Sequence, residues 1–185
     1  MNDIEAISRL KNGDIGGLEF LVNRYQRKAI QTAYLITHDE QIAEDVAQDT
    51  FVRIYQCIHK FDERRPFEPY LMRSVINSAL NASRKTIRWV QYGAGDDVEI
   101  FVDLLLQAAS AEELAEKVRL KEEVVNALKT LSPRHRAVIV QRYFLNMNEK
   151  KMAESLSVAP GTIKWLLNNA RNHLRSLLGL ERNAK

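Results

Sequence analysis

DEQIAEDVAQDTFVRIYQCIHKFDERRPFEPYLMRSVINSALNASRK, residues 39–85, is the stretch that decides the fold. It is typical of two helices joined by a short basic loop that contains proline. Small and apolar residues recur at helical spacing in each half, which predicts two helices that each bury one face. The predicted inner residues are Ala43, Ala47, Thr50, Phe51, Ile54 and Ile58 in the first helix, and Leu71, Val75, Ala79 and Ala82 in the second.

The outer faces of these two helices differ in charge. The first carries Asp45, Gln48 and Asp49, three and four residues apart and therefore neighbours on the surface. The second carries Arg73, Asn77, Asn81, Arg84 and Arg88. A charged stripe is usually only the solvated side of a helix. Asparagine is a poor helix former, however, and together with arginine it hydrogen-bonds base edges and phosphates, so this stripe indicates a nucleic-acid surface.

The loop between the helices supports the same interpretation. Phe61, Arg64, Arg65 and Phe67 alternate aromatic rings with positive charge. Single-stranded nucleic acid is bound by stacking its bases on aromatic rings while cations neutralise its backbone.

Charge is segregated along the 185 residues. Residues 1–88 hold 13 Lys and Arg against 12 Asp and Glu, residues 89–116 hold none against 7, and residues 117–185 hold 14 against 5. With 45% hydrophobic and 28% charged residues, the chain is typical of a folded globular protein. The segregation predicts two small domains, over 1–88 and 111–185, joined by an acidic linker over 89–110. The C-terminal domain is basic enough to bind nucleic acid.

The C-terminal part is predicted to contain four helices, near residues 111–130, 133–145, 148–156 and 160–178. The last two have the layout of a helix-turn-helix: Asn148 as a cap, a tight turn at 157–159, and Pro160 at the first position of the final helix. In that helix the predicted core residues are Ile163, Leu167, Ala170, Leu174 and Leu177. The predicted outer residues are Thr162, Lys164, Trp165, Asn168, Arg171, Asn172 and Arg175.

Three stretches in this order resemble a known family: AEDVAQDTFVRIY (43–55), FDERRPFEPYLMRSVIN (61–77) and LSVAPGTIK (156–164). They are similar to conserved regions 2 and 4 of bacterial RNA polymerase sigma factors of the extracytoplasmic-function group. The resemblance covers nearly the whole chain. It implies an all-α protein of two small helical domains, region 2 and region 4, joined by a flexible acidic linker. The acidity of that linker has two possible explanations. It either only keeps the linker soluble or, as the resemblance implies, lets the linker thread polymerase channels that later hold nucleic acid.

The resemblance also implies partners and site residues. The partners are core RNA polymerase, promoter DNA as duplex and melted single strand, and an anti-sigma factor. Core polymerase would bind Asp45, Gln48, Asp49 and Val52. The proximal, −10 promoter element would contact Phe61, Arg64, Arg65, Arg73, Asn77, Asn81, Arg84 and Lys85, with Phe61 and Asn77 holding an unstacked base. The distal, −35 element would contact Arg136, Lys150, Pro160, Gly161, Thr162, Lys164, Trp165, Asn168 and Arg171.

Several positions depart from the family pattern. Trp165, Leu166 and Asn169 replace a usual Ser and two usual Arg residues, Lys151 stands where Glu is preferred, and Tyr70 replaces a Trp. Tryptophan can pack on a thymine methyl group and Asn168 can read an adenine, so we expect a distal element that contains A/T. Alternatively, Trp165 packs against a neighbouring helix or a partner protein.

Other classes of protein find little support. The single Cys57 excludes an internal disulfide, and the four His residues form no metal-ligand spacing. With no phosphate-binding glycine loop and no catalytic constellation, we expect neither an enzyme nor a cofactor. The N-terminus lacks the apolar core of a signal peptide and no apolar run is long enough to span a bilayer, so we expect a cytosolic protein without membrane contact of its own.

A stand-alone transcriptional regulator is the main alternative. It would use the helix-turn-helix alone, and the first domain would be a protein-interaction module. Under this hypothesis the basic stripe from Arg73 to Arg88 has no role.

Overall fold

A computed structural model describes residues 1–89 and 122–177, with side chains described to residue 85 in the first range. Apart from the backbone of Trp89, the predicted linker over 89–110 lies outside the described residues, as does the predicted helix start at 111–121. The chain divides into two compact units, Met1–Arg88 and Trp89–Lys185. All regular structure in the described residues is helical, which confirms the all-α fold class.

The first unit contains α1 (Asp3–Lys11), α2 (Gly16–Thr37), α3 (Glu40–Cys57), a 3-10 turn (Ile58–Lys60) and α4 (Phe67–Trp89). Side chains fix where two of these helices begin. Asn2 forms a capping box with Glu5, and the Asp39 carboxylate accepts a hydrogen bond of 2.8 Å from the backbone N–H of Ile42. Each cap satisfies a backbone donor that the first helical turn leaves open.

The core of the first unit lies where the periodicity predicted it. Five of the six predicted inner residues lie in α3 and the sixth, Ile58, in the 3-10 turn, and all six are buried. Leu71, Val75 and Ala79 of α4 are buried as well, whereas Ala82 is only half-buried. Helices α1 and α2 are in close contact at Gly17, where a Cβ would lie 2.2 Å from the carbonyl oxygen of Ala6. Only glycine fits this contact.

The loop between α3 and α4 is held by two lysines from other helices. The Lys11 ammonium of α1 donates to the carbonyl oxygen of Phe61 at 2.8 Å and pairs with Glu63, also at 2.8 Å. Lys28 of α2 pairs with Glu68 in the first turn of α4. Because these ties anchor both ends of the loop, the positions between them have a defined backbone.

The second unit contains α5 (122–129), α6 (Pro133–Ile139), α7 (Glu149–Leu156) and α8 (Pro160–Leu177). After α6 the chain continues as a π-helical turn, Val140–Phe144, so the predicted helix over 133–145 is not a single α-helix. Asn148 caps α7 as predicted and accepts from Lys151 N–H at 2.9 Å. Ser157 ends α7 in the left-handed region, at φ 53°, and Pro160 opens α8.

Apolar side chains of α7 and α8 make much of the core of this unit. Met152, Ala153, Ile163, Leu167 and Ala170 are buried as predicted. Leu174 is half-buried and Leu177 is 50% exposed, so the prediction that Leu177 lies in the core is wrong. Leu177 is the last described position of α8, beyond the helices that cover its middle. None of the helices described in either unit is long and apolar enough to cross a membrane.

Candidate polymerase and nucleic-acid interfaces

The outer face of α3 is exposed over its whole middle. Asp45, Gln48 and Asp49 are exposed, and Val52 is 54% exposed one turn further along. Among the described residues neither Asp45 nor Asp49 forms an ion pair. Tyr55, 43% exposed, extends this face and was not predicted, although it lies three residues after Val52. The face thus combines unpaired carboxylates with exposed apolar surface, which suits a protein partner.

The outer face of α4 carries the predicted basic and amide side chains. Arg73, Asn81, Arg84 and Lys85 are exposed, while Asn77 is half-buried. The side chain of Arg88 lies outside the described residues. Helical spacing places the described members on one side, opposite the buried stripe. An extended polyanion could therefore contact several of them at once.

The loop side chains divide into two groups. Arg64 and Arg65 are exposed as predicted, and the Arg65 guanidinium lies 3.7 Å from the Asp62 carboxylate. Phe61, expected on the surface of the loop, is only 6% exposed, and that expectation is wrong. The Phe61 ring lies 5.8 Å from Phe67 and 4.8 Å from Tyr70, between ring centroids. These neighbours enclose it, so Phe61 supports the loop from within.

Tyr70 is the accessible member of this aromatic cluster. It is half-buried, and it lies on the α4 side that carries Arg73, three residues further on, and Asn77, seven residues further on. The sequence held two signals for it: this spacing, and the resemblance, which places a tryptophan at the same position. It is the aromatic ring best placed to meet a ligand that contacts Asn77.

An open groove of about 600 Å³ runs between the loop and α1. Ile4, Ile7 and Phe67 supply apolar lining, and Arg24 and Arg64 supply positive charge. Asp3 also lines the groove, and its carboxylate accepts a hydrogen bond of 2.5 Å from the Tyr25 hydroxyl. Burial, followed by this bond, raises the pKa of the Tyr25 phenol above its ordinary value, so the phenol stays protonated.

The outward residues of the helix-turn-helix are largely where the pattern predicted. Exposed positions include Lys150, Pro160, Gly161, Thr162, Lys164 and Asn168. Trp165 is 60% exposed, and its ring centroid lies 6.1 Å from that of His135 in α6. One edge of the indole thus contacts the domain while most of its surface remains open. Leu166, by contrast, is a core residue at 6% exposure, and Asn169 is half-buried.

Arg136 does not belong to this surface. It was predicted to contact the distal element, yet it is only 8% exposed, and its Nη1 donates to the carbonyl oxygen of Lys129 at 3.5 Å. Burial lowers the pKa of its guanidinium to about 10. A side chain enclosed in this way cannot reach a phosphate on the surface, so the prediction is corrected: Arg136 ties α6 to the end of α5.

Arg171 is half-buried at the margin of α8. Its Nε donates to the hydroxyl of Tyr143 at 2.9 Å, and its guanidinium carbon lies 5.8 Å from the centre of the Tyr143 ring. Tyr143 itself is 62% exposed. The sequence offered no signal for this pair, because Tyr143 belongs to the unpredicted π-helical turn.

Groups of three or more His, Cys, Asp or Glu side chains that could hold a metal ion do not occur within residues 1–89 and 122–177. Cys57 is half-buried and free.

Family models match both units. The model for Sigma-70 region 2 matches residues 21–88, and the model for Sigma-70, region 4 matches residues 127–176. The ECF RNA polymerase sigma factor SigW of Bacillus subtilis is 25% identical over 178 residues, covering 94% of this chain and 95% of its own length. The RNA polymerase sigma-H factor of Pseudomonas aeruginosa is 25% identical over 180 residues, covering 95% and 93%.

Solved structures share the fold. The structure of CnrH in complex with the cytosolic domain of CnrY matches with a TM-score of 0.65 at 24% identity, covering 97% of this chain and 98% of that one. The sigma factor RpoE in complex with the anti-sigma factor NepR, from Bartonella quintana, matches with a TM-score of 0.65 at 20% identity, covering 89% and 98%. With both conserved regions matched in order and relatives aligned over almost the full length, this chain belongs to the sigma-70 family of RNA polymerase sigma factors, in its extracytoplasmic-function group.

Proposed function

We propose that this chain is a sigma factor that binds core RNA polymerase, directs it to promoters and helps to open the duplex. One observation carries the proposal: the first unit presents an unpaired acidic and apolar face on α3 and a basic, amide-bearing face on α4. A factor that joins a polymerase to DNA needs both kinds of surface on one body. Chemistry is left to the polymerase, and the chain acts in the cytoplasm as a binding protein.

The α3 face is the polymerase-docking surface. Asp45, Gln48, Asp49 and Val52 form it, and Tyr55 extends it. Unpaired carboxylates steer a basic partner surface and set the register of docking, while burial of Val52 and Tyr55 supplies affinity. Aromatic residues are frequent among the side chains that carry most of the binding energy at interfaces.

The α4 face and the loop hold the proximal promoter element. Arg64, Arg65, Arg73, Arg84 and Lys85 neutralise the backbone, and Asn77 and Asn81 hydrogen-bond bases. Tyr70 takes the stacking role first expected of Phe61, because its ring is accessible. Stacking on an aromatic ring returns about 1–3 kcal/mol per base, which offsets part of the cost of unstacking that base. The groove beside α1 offers the melted strand a path.

Helix α8 reads the distal element in the major groove. Thr162, Lys164, Trp165 and Asn168 face outward from its first two turns, where recognition helices contact base edges. Pro160 and Gly161 open the helix at this surface, and Lys150 of α7 neutralises a nearby phosphate.

Regulation by an anti-sigma factor is part of the proposal. One solved neighbour is described as a complex with an anti-sigma factor and another as a complex with the cytosolic domain of CnrY. The segment over 89–110 carries acidic residues and no basic ones, a charge that suits a polymerase groove complementary to phosphate.

Co-purification with core RNA polymerase, followed by transcription from a promoter in a defined system, tests the proposal. We expect a stoichiometric complex and transcription that depends on the chain. A chain that bound an operator duplex tightly without polymerase, and that did not associate with core enzyme, would instead be the stand-alone regulator. Relatives that align along almost the entire chain are sigma factors, which disfavours that alternative.

A further inference from the structure

We propose that Tyr143 and Arg171 together grip one phosphate of the distal promoter duplex, with Tyr143 acting both as a contact and as the residue that positions the guanidinium. The inference rests on the proposed function, and it adds to the reading surface a residue from outside the two helices of the helix-turn-helix.

The hydrogen bonding of the pair leaves room for an anion. Arg171 has five N–H donors, and one of them, Nε–H, donates to the Tyr143 hydroxyl at 2.9 Å. Among the described residues the four donors on its two terminal nitrogens have no partner. The Tyr143 hydroxyl accepts from Arg171, so its own proton remains available to an acceptor. Arginine donors and a phenolic O–H directed to one place suit a phosphate oxygen pair.

Tyr143 and Arg171 lie at the edge of the outer side of the recognition helix, α8. Ile163, Leu167 and Ala170 mark the buried side of α8, and the exposed positions 168, 172 and 175 mark the outer side. By helical spacing Arg171 falls between these sides, which agrees with its half-buried state. When the outer side of a recognition helix enters the major groove, side chains at its margins face the groove walls, which are made of phosphates.

The π-helical turn gives Tyr143 its exposure. Leu145 N–H donates to the carbonyl oxygen of Val140 at 3.0 Å, a bond spanning five residues. Such turns are rare and occur frequently at functional sites. Here the turn places the Tyr143 ring, which is 62% exposed, against Arg171. An exposed aromatic residue on a rare turn contributes little to the core, so a role in binding accounts for it better.

The surrounding charge favours a polyanion over an acidic protein patch of modest charge. Residues 122–177 hold nine Lys and Arg against four Asp and Glu. The described part of the second unit therefore carries a net positive charge, and duplex DNA carries one negative charge per about 1.7 Å of axis.

The test uses the full chain in complex with core RNA polymerase and a promoter duplex selected by that complex from random DNA. The variants are Tyr143→Phe, Arg171→Ala and the double variant, and the matched control is Lys129→Ala, which removes an exposed cation from α5. For Arg171→Ala we expect affinity at 0.1 M salt to fall about five- to ten-fold and the slope of log K against log salt to flatten by about 0.9. For Tyr143→Phe we expect a loss of about two- to ten-fold. The double variant should lose less than the sum of the two single losses, since the two side chains act together on one phosphate.

Replacement of single phosphates by methylphosphonate identifies the contact. One position in the distal element should weaken binding of the wild-type and Lys129→Ala complexes but not of the Tyr143 and Arg171 variants. Unchanged affinity and salt slope in both variants would overturn the proposal, and so would a loss confined to one base pair or weakened binding to core polymerase with normal DNA affinity. If the wild-type complex bound no promoter at all, the proposed function itself would be wrong as well.

Discussion

At the scale of single residues, Phe61 and Tyr70 are neighbouring rings with different roles. Phe61→Ala empties a buried site, so we expect the free energy of unfolding to fall by about 3–5 kcal/mol. Tyr70→Ala should cost less stability because its ring is half-exposed, yet it should reduce promoter opening. Urea unfolding measures the first effect, and permanganate reactivity of thymines in the melted region measures the second. A Phe61→Ala variant of normal stability that failed to open promoters would restore Phe61 as the base contact.

A buried hydrogen bond aligns the π-helical turn with the helix-turn-helix. Gln141 and Ser155 are 0% and 2% exposed, and the Gln141 amide donates to the Ser155 hydroxyl at 2.9 Å. Ser155→Ala leaves that donor without a partner, which we expect to lower the free energy of unfolding by about 1–3 kcal/mol. Adding Gln141→Met should recover part of the loss, because an apolar side chain needs no partner. Equal losses in the single and double variants, measured by urea unfolding, would show that the bond is not the cause.

Single residues also show where sequence reasoning stops. Phe61 and Arg136 stand in basic or loop contexts that normally indicate exposure, and both are buried by residues distant in sequence or on another helix. Local pattern carries no information on such neighbours. The exposure of Asp45, Asp49 and Lys164 was predictable, because helical spacing alone places them opposite a buried stripe.

At the scale of helices, the proposed polymerase-docking face lies on α3, and residues inside and outside that face can be varied separately. Asp49→Lys reverses an unpaired charge on the outer face, and we expect weaker binding to core polymerase with unchanged helix content. Glu19→Lys is the matched control, since it makes the same charge change at an exposed position of α2, outside the Asp45 to Val52 face. Fluorescence titration with core enzyme and circular dichroism give the two readings. Equal loss of affinity in both variants would assign the effect to net charge rather than to docking.

Helix α4 carries the face proposed to contact DNA rather than the polymerase. Asn77 is half-buried on the basic side, one turn from Arg73. We expect Asn77→Ala to leave core binding intact and to slow promoter opening, because the amide bonds a base only after that base leaves the duplex. Stopped-flow opening kinetics on a matched and a pre-melted promoter separate the steps. On the pre-melted promoter we expect the variant complex to dissociate from the DNA faster than the wild-type complex. Weaker binding to core polymerase would instead place Asn77 in the polymerase interface.

Helix boundaries were largely predictable, since caps and proline are local signals: Asn148 and Pro160 mark α7 and α8 as expected. The π-helical turn over Val140–Phe144 was not, because apolar spacing in a short helix does not distinguish one hydrogen-bond register from another. The residues that this turn repositions, Tyr143 above all, were therefore missed.

At the scale of the whole molecule, the two surfaces proposed to contact DNA belong to two compact units of one chain. We expect substitutions in the two units to change the free energy of promoter binding additively. The two surfaces should also specify separate blocks of sequence, one melted and one read as duplex.

Trp165→Ala tests this separation together with the sequence read by α8. The indole is 60% exposed beside Asn168, so we expect the wild-type complex to select a distal block that contains A/T, through a thymine methyl against the ring and an adenine against the amide. The variant should lose preference in that block by about 1–3 kcal/mol at one base pair and keep the proximal block unchanged. Selection from random duplex DNA by the polymerase complex, with wild type and variant in parallel, measures both blocks. A G/C-only distal block, or a variant with unaltered preference, would mean that the contact with His135 is the whole role of Trp165.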